Sequence, residues 1–241
     1  MTLKVTTFSS KGRATRINSI KNNEIYHLQS DNQLRMFLLL EWLDIVTDIK
    51  VNYELNDLET NLENIENLRL DKFVDKESGI LYKFHTNFLI TINKQNVEEQ
   101  VAISVKSVTE LERKVVIEKI EIERRYWSSK GIKFYIITDN QLDRTIVENI
   151  MWVRETLLDK DISNKEELAN ELYYLLEANR LVNVNSLLKV FDSDKCKNGI
   201  GLFIFRYLIA NKMIKTNMKK HIDLEKIVGE IIDFEVNTND F

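Results

Sequence analysis

Four polar positions in the first half of the chain, Gln33, Asn87, Ser104 and Lys106, have a spacing that suits chemistry at a phosphodiester bond. Metal-dependent cleavage of such a bond needs carboxylates that hold divalent ions and a lysine that stabilises charge or positions the attacking water. Ser104 and Lys106 lie two residues apart in a predicted strand, so both point to one face of a sheet. Asn87 and Gln33, however, are amides rather than acids. The spacing alone leaves an ordinary solvated strand face as the alternative.

Two strands and one helix position these residues in the predicted structure. The strands cover Tyr82–Ile92 and Gln100–Val108 and are joined by a polar turn. The helix begins at Ser30-Asp31 and continues with apolar residues at helical spacing. A further strand is predicted at Asp44–Leu55, where apolar and polar residues alternate, and a short surface helix at Leu58–Leu70.

A long helix and a compact strand follow in the sequence. Thr109–Lys130 has an apolar stripe with charges opposite, and Gly131 is placed to end this helix. Phe134–Thr138 (FYIIT) is predicted as a fully buried strand, and Thr145–Leu158 as another helix. The order strand, strand, helix, strand, helix predicts an α/β fold with a mixed sheet.

The pattern changes after Asp159-Lys160-Asp161, and we predict a domain boundary near residue 160. Three helices are predicted in succession, at Lys165–Ala178, Val184–Phe191 and Ile200–Ala210. The polar segment Lys212–His221 could then form a hairpin wing. The prediction is therefore one domain over residues 1–160 and a helical, winged-helix-like domain over residues 161–241.

Composition sets limits on the class of protein. With 44% hydrophobic and 30% charged residues, the chain has the profile of a globular protein rather than a disordered one. A net charge of −4 means that any contact with nucleic acid depends on local basic patches. One cysteine excludes an internal disulfide, and no apolar run has the length of a membrane span. We expect a cytoplasmic protein.

Several segments resemble, in order, the TnsA family, the endonuclease subunits of heteromeric bacterial transposases. The similarity covers about residues 8 to 158, and EIERRYW is its most specific part. The segments are SSKGRATRI (Ser9–Ile17), LQSDNQLRMFLLLEW (Leu28–Trp42), HTNFLI (His85–Ile90), VAISVK (Val101–Lys106), EKIEIERRYWSSKGIKFYIITD (Glu118–Asp139) and ENIMWVRE (Glu148–Glu155). The helical tail is similar to the family's winged-helix C-terminal domain, although its sequence signal is looser.

This resemblance implies a restriction-endonuclease-like N-terminal domain that cuts the 5′ strand at transposon ends. It also implies two protein partners, a DDE transposase called TnsB that cuts the 3′ strand and an AAA+ ATPase called TnsC. The family pattern places a Glu, an Asp, a polar residue and a Lys at Gln33, Asn87, Ser104 and Lys106. The implied metal ligands are thus Gln33, Asn87 and Ser104, and the implied catalytic residues are Gln33, Asn87 and Lys106.

The two amides keep the shape of the expected acids but remove the charge that holds Mg²⁺ or Mn²⁺. We therefore expect a weakly bound or absent metal and an inactive copy of the enzyme. Deliberate replacement and natural loss in an adaptor that joins transposase, ATPase and DNA remain open as explanations. A site reassigned to Glu41, Glu98 or Glu99 and a stand-alone restriction-type nuclease are further alternatives.

Other charged groups have two interpretations each. Lys11, Arg13 and Arg16 could contact DNA phosphates or could belong to an ordinary solvated segment. The stretch from 206 to 222 contains no acid and could touch DNA or an acidic partner, or could be a plain solvated edge. The segment EIERRYW could be a basic strip that faces DNA, but the structural interpretation is favoured. In that interpretation Tyr126 and Trp127 are core residues, and Glu121 and Glu123 form ion pairs with Lys119 and Arg125 on the helix.

Overall fold

The computed structural model describes residues 14–62 and 67–234. Contacts divide it into two compact units, residues 1–142 and 143–241. The first unit consists of β1 (Thr15–Asn18), β2 (Ile25–Leu28), α1 (Asp31–Trp42), β3 (Val46–Glu54), α2 (Leu58–Asn61), β4 (His85–Lys94), β5 (Val97–Lys106), α3 (Val108–Leu111), α4 (Lys114–Ser129) and β6 (Lys133–Thr138). Short 3-10 helices lie at Leu70–Phe73 and Asp139–Gln141.

A four-stranded sheet in the order β3-β4-β5-β6 forms the centre of this unit. The first three strands pair antiparallel and β6 pairs parallel to β5, so the sheet is mixed, as predicted. One face carries Phe88, Ile90 and Ile103, which pack with Phe37 and Leu40 of α1. Because successive side chains of a strand point to opposite faces, the sheet has a separate apolar cluster on each face.

The second cluster belongs to α4. Tyr126 and Trp127 are buried with Ile122 against Leu89 and Ala102. The two rings lie 5.0 Å apart in an edge-to-face arrangement. The predicted role of the two aromatic residues as core anchors is therefore confirmed.

The predicted helix over Thr109–Lys130 is interrupted. Ser107 caps α3 in a capping box with Glu110, and that helix ends after one turn at Leu111. Arg113, in an extended conformation, separates it from α4. Gly131, at φ +67°, follows α4 as predicted, since this conformation favours glycine.

The strand FYIIT is not fully buried, so that prediction is wrong. It forms β6 at the edge of the sheet, where Tyr135 is 51% and Ile136 38% exposed. An apolar run of this length occurs both in central and in edge strands, and the sequence does not distinguish the two.

Two other segments differ from their predictions. The stretch before α1, to which the sequence assigned no element, contains the β1–β2 hairpin. The predicted helix at Leu58–Leu70 is short, because α2 ends at Asn61 and Leu70 opens a 3-10 helix. Residues 63–66 lie outside the described part of the chain.

The second unit is largely helical. Its elements are α5 (Arg144–Leu158), α6 (Lys165–Ala178), α7 (Val184–Asp194), α8 (Ile200–Ala210), β7 (Lys215–Thr216), α9 (Val228–Ile231) and β8 (Ile232–Asp233). The three predicted helices are thus present, with α7 slightly longer than expected. Within the described residues, no helix has the length and apolar character to cross a membrane.

The structure differs from the predicted hairpin wing and from the predicted domain boundary, in both cases because of long-range contacts. Lys212–His221 does not form a hairpin of its own, because β7 pairs antiparallel with β8, near the end of the described chain. The division between units falls after Leu142 rather than near residue 160. The reason is that α5 packs against α8, so the helix before residue 160 belongs to the second unit.

Candidate functional site

The β4–β5 ladder ends where the sequence places the candidate site. Its last pair is Phe88 with Ile103. Beyond this pair, a side chain replaces the backbone as acceptor: Asn87 Oδ1 accepts from the Val105 backbone N–H at 2.7 Å. Asn87 is thereby fixed next to the Ser104–Lys106 segment. The structure therefore brings Asn87, Ser104 and Lys106 together.

Beneath this segment lies a carboxylate that the sequence interpretation placed elsewhere. Glu123 is fully buried on α4, and its Oε2 accepts from Ser104 Oγ at 2.6 Å and from Thr86 Oγ1 at 3.1 Å. Trp127 Nε1 donates to the same Thr86 hydroxyl at 2.8 Å. Glu123 Oε1 has no hydrogen-bond partner among the described residues. Glu123 therefore anchors Ser104 from below.

The predicted surface ion pair applies to Glu121 alone. Glu121 binds Arg124 and Arg125, each at 2.7 Å, and these partners lower the pKa of its carboxyl to about 2. For Glu123 the prediction is wrong. The signal in the sequence was its position, since Glu123 precedes Trp127 by four residues and follows Ile120 by three, on the buried stripe of the helix.

Lys106 and Glu123 influence each other's charge. Burial lowers the pKa of the Lys106 ammonium, an effect opposed by the negative charge of Glu123 and increased by Lys119. Burial likewise raises the pKa of the Glu123 carboxyl, and the charge of Lys106 opposes that shift. No hydrogen bond or ion pair joins Lys106 to any described residue. Its ammonium is thus poorly solvated and lacks a direct partner.

Gln33 is buried at the start of α1 and is bonded locally. Its backbone N–H donates to Ser30 Oγ at 3.2 Å, and its Oε1 accepts from the Gln29 backbone N–H at 2.7 Å. The side chain therefore stabilises the turn that leads into the helix. Within the described residues, no hydrogen bond links Gln33 to Asn87, Ser104 or Lys106.

The alternative acids have other roles. Glu41 Oε1 accepts from the Ile20 backbone N–H at 2.7 Å and holds the β1–β2 hairpin against α1. Glu99 forms an ion pair with Lys133, with 3.5 Å between Oε2 and Nζ. Glu98 lies opposite Asn93 in the strand register, beside the β4–β5 turn. The pairing register therefore places Glu98 and Glu99 at the end of β5 opposite to Lys106.

His85 lies beside the site on β4. Its Nε2 is 3.8 Å from Glu54, and burial lowers the pKa of the imidazole. Arg16 is exposed on β1, where it is accessible to a DNA backbone. Lys11 and Arg13, the other predicted DNA contacts, lie outside the described residues.

Two family models match the chain. One is described as "TnsA-like endonuclease N terminal" and matches residues 44–139; the other, "TnsA endonuclease C terminal", matches residues 141–218. The "Transposon Tn7 transposition protein TnsA" of Escherichia coli is 31% identical over 229 residues, which span 95% of this chain and 82% of that relative. The chain belongs to the TnsA endonuclease family.

Family membership agrees with both units of the fold. The mixed four-stranded sheet fits a TnsA-like endonuclease N-terminal domain, and the helical second unit corresponds to the C-terminal family model. The two models meet near residue 140, close to the division of the structure after Leu142. TnsA proteins are transposition endonucleases, which supports the predicted role in transposition.

The side chains at the site do not suit the divalent metal that such an endonuclease implies. The oxygens of Gln33 and Asn87 are neutral and each already accepts from a backbone N–H. The Ser104 hydroxyl is bonded to Glu123. Within residues 14–62 and 67–234, no three His, Cys, Asp or Glu side chains form a group that could hold a metal. Mg²⁺ needs several oxygen ligands, preferably charged, and this set does not offer them.

Proposed function

We propose that this chain is the TnsA-like endonuclease subunit of a Tn7-like system that moves DNA by cut-and-paste transposition. Its place is at the transposon ends, where family members cut the 5′ strand. A TnsB-like DDE transposase and a TnsC-like AAA+ ATPase are its protein partners. Arg16, together with Lys11 and Arg13, contacts the DNA backbone.

We further propose that this copy binds the transposon end without cutting it. The observation that carries this proposal is the hydrogen bonding of Asn87, whose oxygen is held by the Val105 backbone N–H. An aspartate in the same place would use one oxygen for that bond and keep a second, anionic oxygen for a metal. Asparagine has no such second oxygen. Lys106 remains in position to stabilise negative charge on a phosphate.

The alternative is an adaptor that is inactive by nature and joins transposase, ATPase and DNA. Both versions predict the same chemistry, because both lack acids at positions 33 and 87. They differ in origin. Acids at codons 33 and 87 of the gene as it occurs in the source organism mean that an active enzyme was altered, and amides there mean a natural adaptor.

The test is to restore both acids. We expect the native chain to leave the 5′ strand intact and the Gln33→Glu/Asn87→Asp double variant to nick it, in Mg²⁺ or Mn²⁺ with TnsB-like and TnsC-like partners. Asn96→Asp adds one acid at the β4–β5 turn, at the far end of the same strands, and is the matched control; it stays inactive. Nicking by the native chain contradicts the proposed inactivity. A double variant that stays inert while TnsB cuts the 3′ strand contradicts the endonuclease assignment.

A further inference from the structure

The orientation of the Asn87 amide is fixed by its neighbour. The Val105 backbone N–H is a donor, so the group that faces it at 2.7 Å has to be the oxygen. The amide nitrogen Nδ2 therefore points to the other side of the group. This nitrogen has no hydrogen-bond partner among the described residues.

Gln33, the other position at which the family pattern has an acid, is fixed in the same way. Its Oε1 faces the Gln29 backbone N–H at 2.7 Å, and this leaves Nε2 as a donor. That nitrogen too lacks a partner in the described part of the chain. At both positions the amide keeps the bond that a carboxylate oxygen would make to the backbone. The remaining oxygen of the acid is replaced by an NH₂ group.

This replacement reverses the hydrogen-bonding character of the site. A carboxylate presents a charged acceptor, which attracts a cation, whereas the NH₂ of an amide presents donors, which attract an anion. Lys106, one residue after Val105, adds an ammonium without a direct partner. The NH₂ group of Asn87, which is held at Val105, and the ammonium of the next residue thus both offer donors to an anion.

Among the described residues, the charged groups around Lys106 leave the donors of its ammonium unoccupied. Lys119 and Glu123 both act on Lys106 through space, and so does Glu110. Glu110 is engaged in the cap of α3, and Glu123 is buried beneath Ser104. Neither carboxylate is hydrogen-bonded to the Lys106 ammonium, so its donors remain available to an anion.

We propose that this site binds a phosphate group directly, without a metal ion, through the NH₂ group of Asn87 and the ammonium of Lys106. This inference rests on the proposed function, which supplies the DNA strand. A phosphodiester carries one negative charge and several acceptor oxygens, which match these donors. The consequence is DNA binding that does not depend on Mg²⁺, in a fold whose active form would need the metal to hold two acids near a phosphate.

The experiment is fluorescence anisotropy with a labelled duplex DNA at low salt, in EDTA and in Mg²⁺. We expect the native chain to bind equally well in both. Asn87→Asp loses a donor and gains a like charge beside the phosphate, so in EDTA its affinity falls by about tenfold or more. Mg²⁺ restores much of that loss. Lys106→Met weakens binding in both conditions.

Asn96→Asp is the matched control, because it adds the same charge at the opposite end of β4 and β5. It should bind like the native chain in EDTA. Circular dichroism and thermal melting of each variant establish that it is folded. The inference is overturned if the native chain needs Mg²⁺ to bind DNA, if it does not bind in EDTA, or if Asn87→Asp binds in EDTA as tightly as the native chain.

Competition with inorganic phosphate identifies the source of the ligand. Displacement of DNA by phosphate from the native chain, but not from Asn87→Asp, supports a site that accepts any phosphate group. An Asn87→Asp effect that phosphate does not influence supports a site that takes the phosphodiester only within a DNA strand. The binding experiment and the nicking assay can fail independently. If the double variant nicks DNA but the native chain needs Mg²⁺ to bind DNA, the proposed function stands and the phosphate site is wrong.

Discussion

Glu123 is an ionisable residue that lies fully buried beneath the candidate site. Its carboxylate accepts from the hydroxyls of Ser104 and Thr86, and burial raises its pKa. Such a carboxyl costs free energy when it ionises, and the charges of Lys106 and Lys119 and the two hydroxyl donors offset part of that cost. We regard Glu123 as the residue that positions Ser104 and tunes Lys106.

This raised pKa predicts a pH dependence of stability. Below pH 4.5, the ordinary pKa of Glu, both the folded and the unfolded states hold the proton. As the pH rises, the unfolded state releases the proton first, so the folded state loses stability until its own pKa is passed. Glu123→Gln cannot titrate. Its free energy of unfolding should therefore rise relative to the native chain above pH 4.5, by at most about 1.4 kcal/mol per pH unit.

Urea unfolding at several pH values measures this difference. Glu121→Gln is the control on the same helix and should behave in the opposite way, because Arg124 and Arg125 lower the pKa of Glu121 to about 2. Its stability relative to the native chain should improve as the pH falls below 4.5, where the native chain loses the contribution of the ionised carboxylate. A constant difference between Glu123→Gln and the native chain would contradict the account of Glu123.

At the residue scale, sequence and family resemblance placed Asn87, Ser104 and Lys106 in one site, and the register of β4 and β5 explains why. What they did not place was Glu123, because a carboxylate in an ERR sequence is typical of a surface ion pair. Its burial depends on hydrogen bonds from Ser104, 19 residues earlier in the chain, and from Thr86, 37 residues earlier. A single sequence does not carry that long-range information.

At the scale of elements, the packing of α7 against α8 depends on one close approach. Both oxygens of the Asp192 carboxylate are used, one by Gly199 N–H at 2.7 Å and one by Gly201 N–H at 2.6 Å, and this caps α8. A Cβ atom on Gly201 would lie only 2.6 Å from the Leu188 carbonyl oxygen. The glycine is therefore required by packing rather than by its backbone conformation.

Gly201→Ala should lower the free energy of unfolding by about 2 kcal/mol, because the overlap forces α7 and α8 apart. Chemical denaturation followed by circular dichroism measures the change. Gly229→Ala is the comparison, since its nearest atom, the Arg180 carbonyl oxygen, would be 3.3 Å away and the loss should be smaller. Equal effects of the two substitutions would show that the contact with Leu188 does not determine the helix packing.

The elements themselves were predictable where local chemistry decides them. The N-cap Ser30 and the apolar spacing after it predicted α1, and Gly131 predicted the end of α4. The exposed position of β6 was not predictable, because it depends on which strand occupies the edge. The pairing of β7 with β8 depends in the same way on residues further along the chain, since Lys215 pairs with Asp233 and Thr216 with Ile232.

At the scale of the whole molecule, the boundary between the two units does not fall where the sequence suggested. A polar break at Asp159-Lys160-Asp161 suggested a boundary there, but α5 buries Ile150 and Val153 and packs with α8. Helix α5 therefore belongs to the second unit because it packs against α8, although a polar loop follows it. The net charge of −4 is consistent with DNA contact only through local groups such as Arg16 and Lys106.

A site that holds a phosphate group directly, in the scaffold of a TnsA endonuclease, should have no affinity for a divalent ion. Calorimetric titration of Mn²⁺ into the native chain and into the Gln33→Glu/Asn87→Asp variant measures this affinity. We expect saturable binding to the double variant and none to the native chain, because only the variant offers charged oxygens. If Mn²⁺ binds the native chain as tightly as the double variant, the proposed exchange of metal for phosphate is wrong.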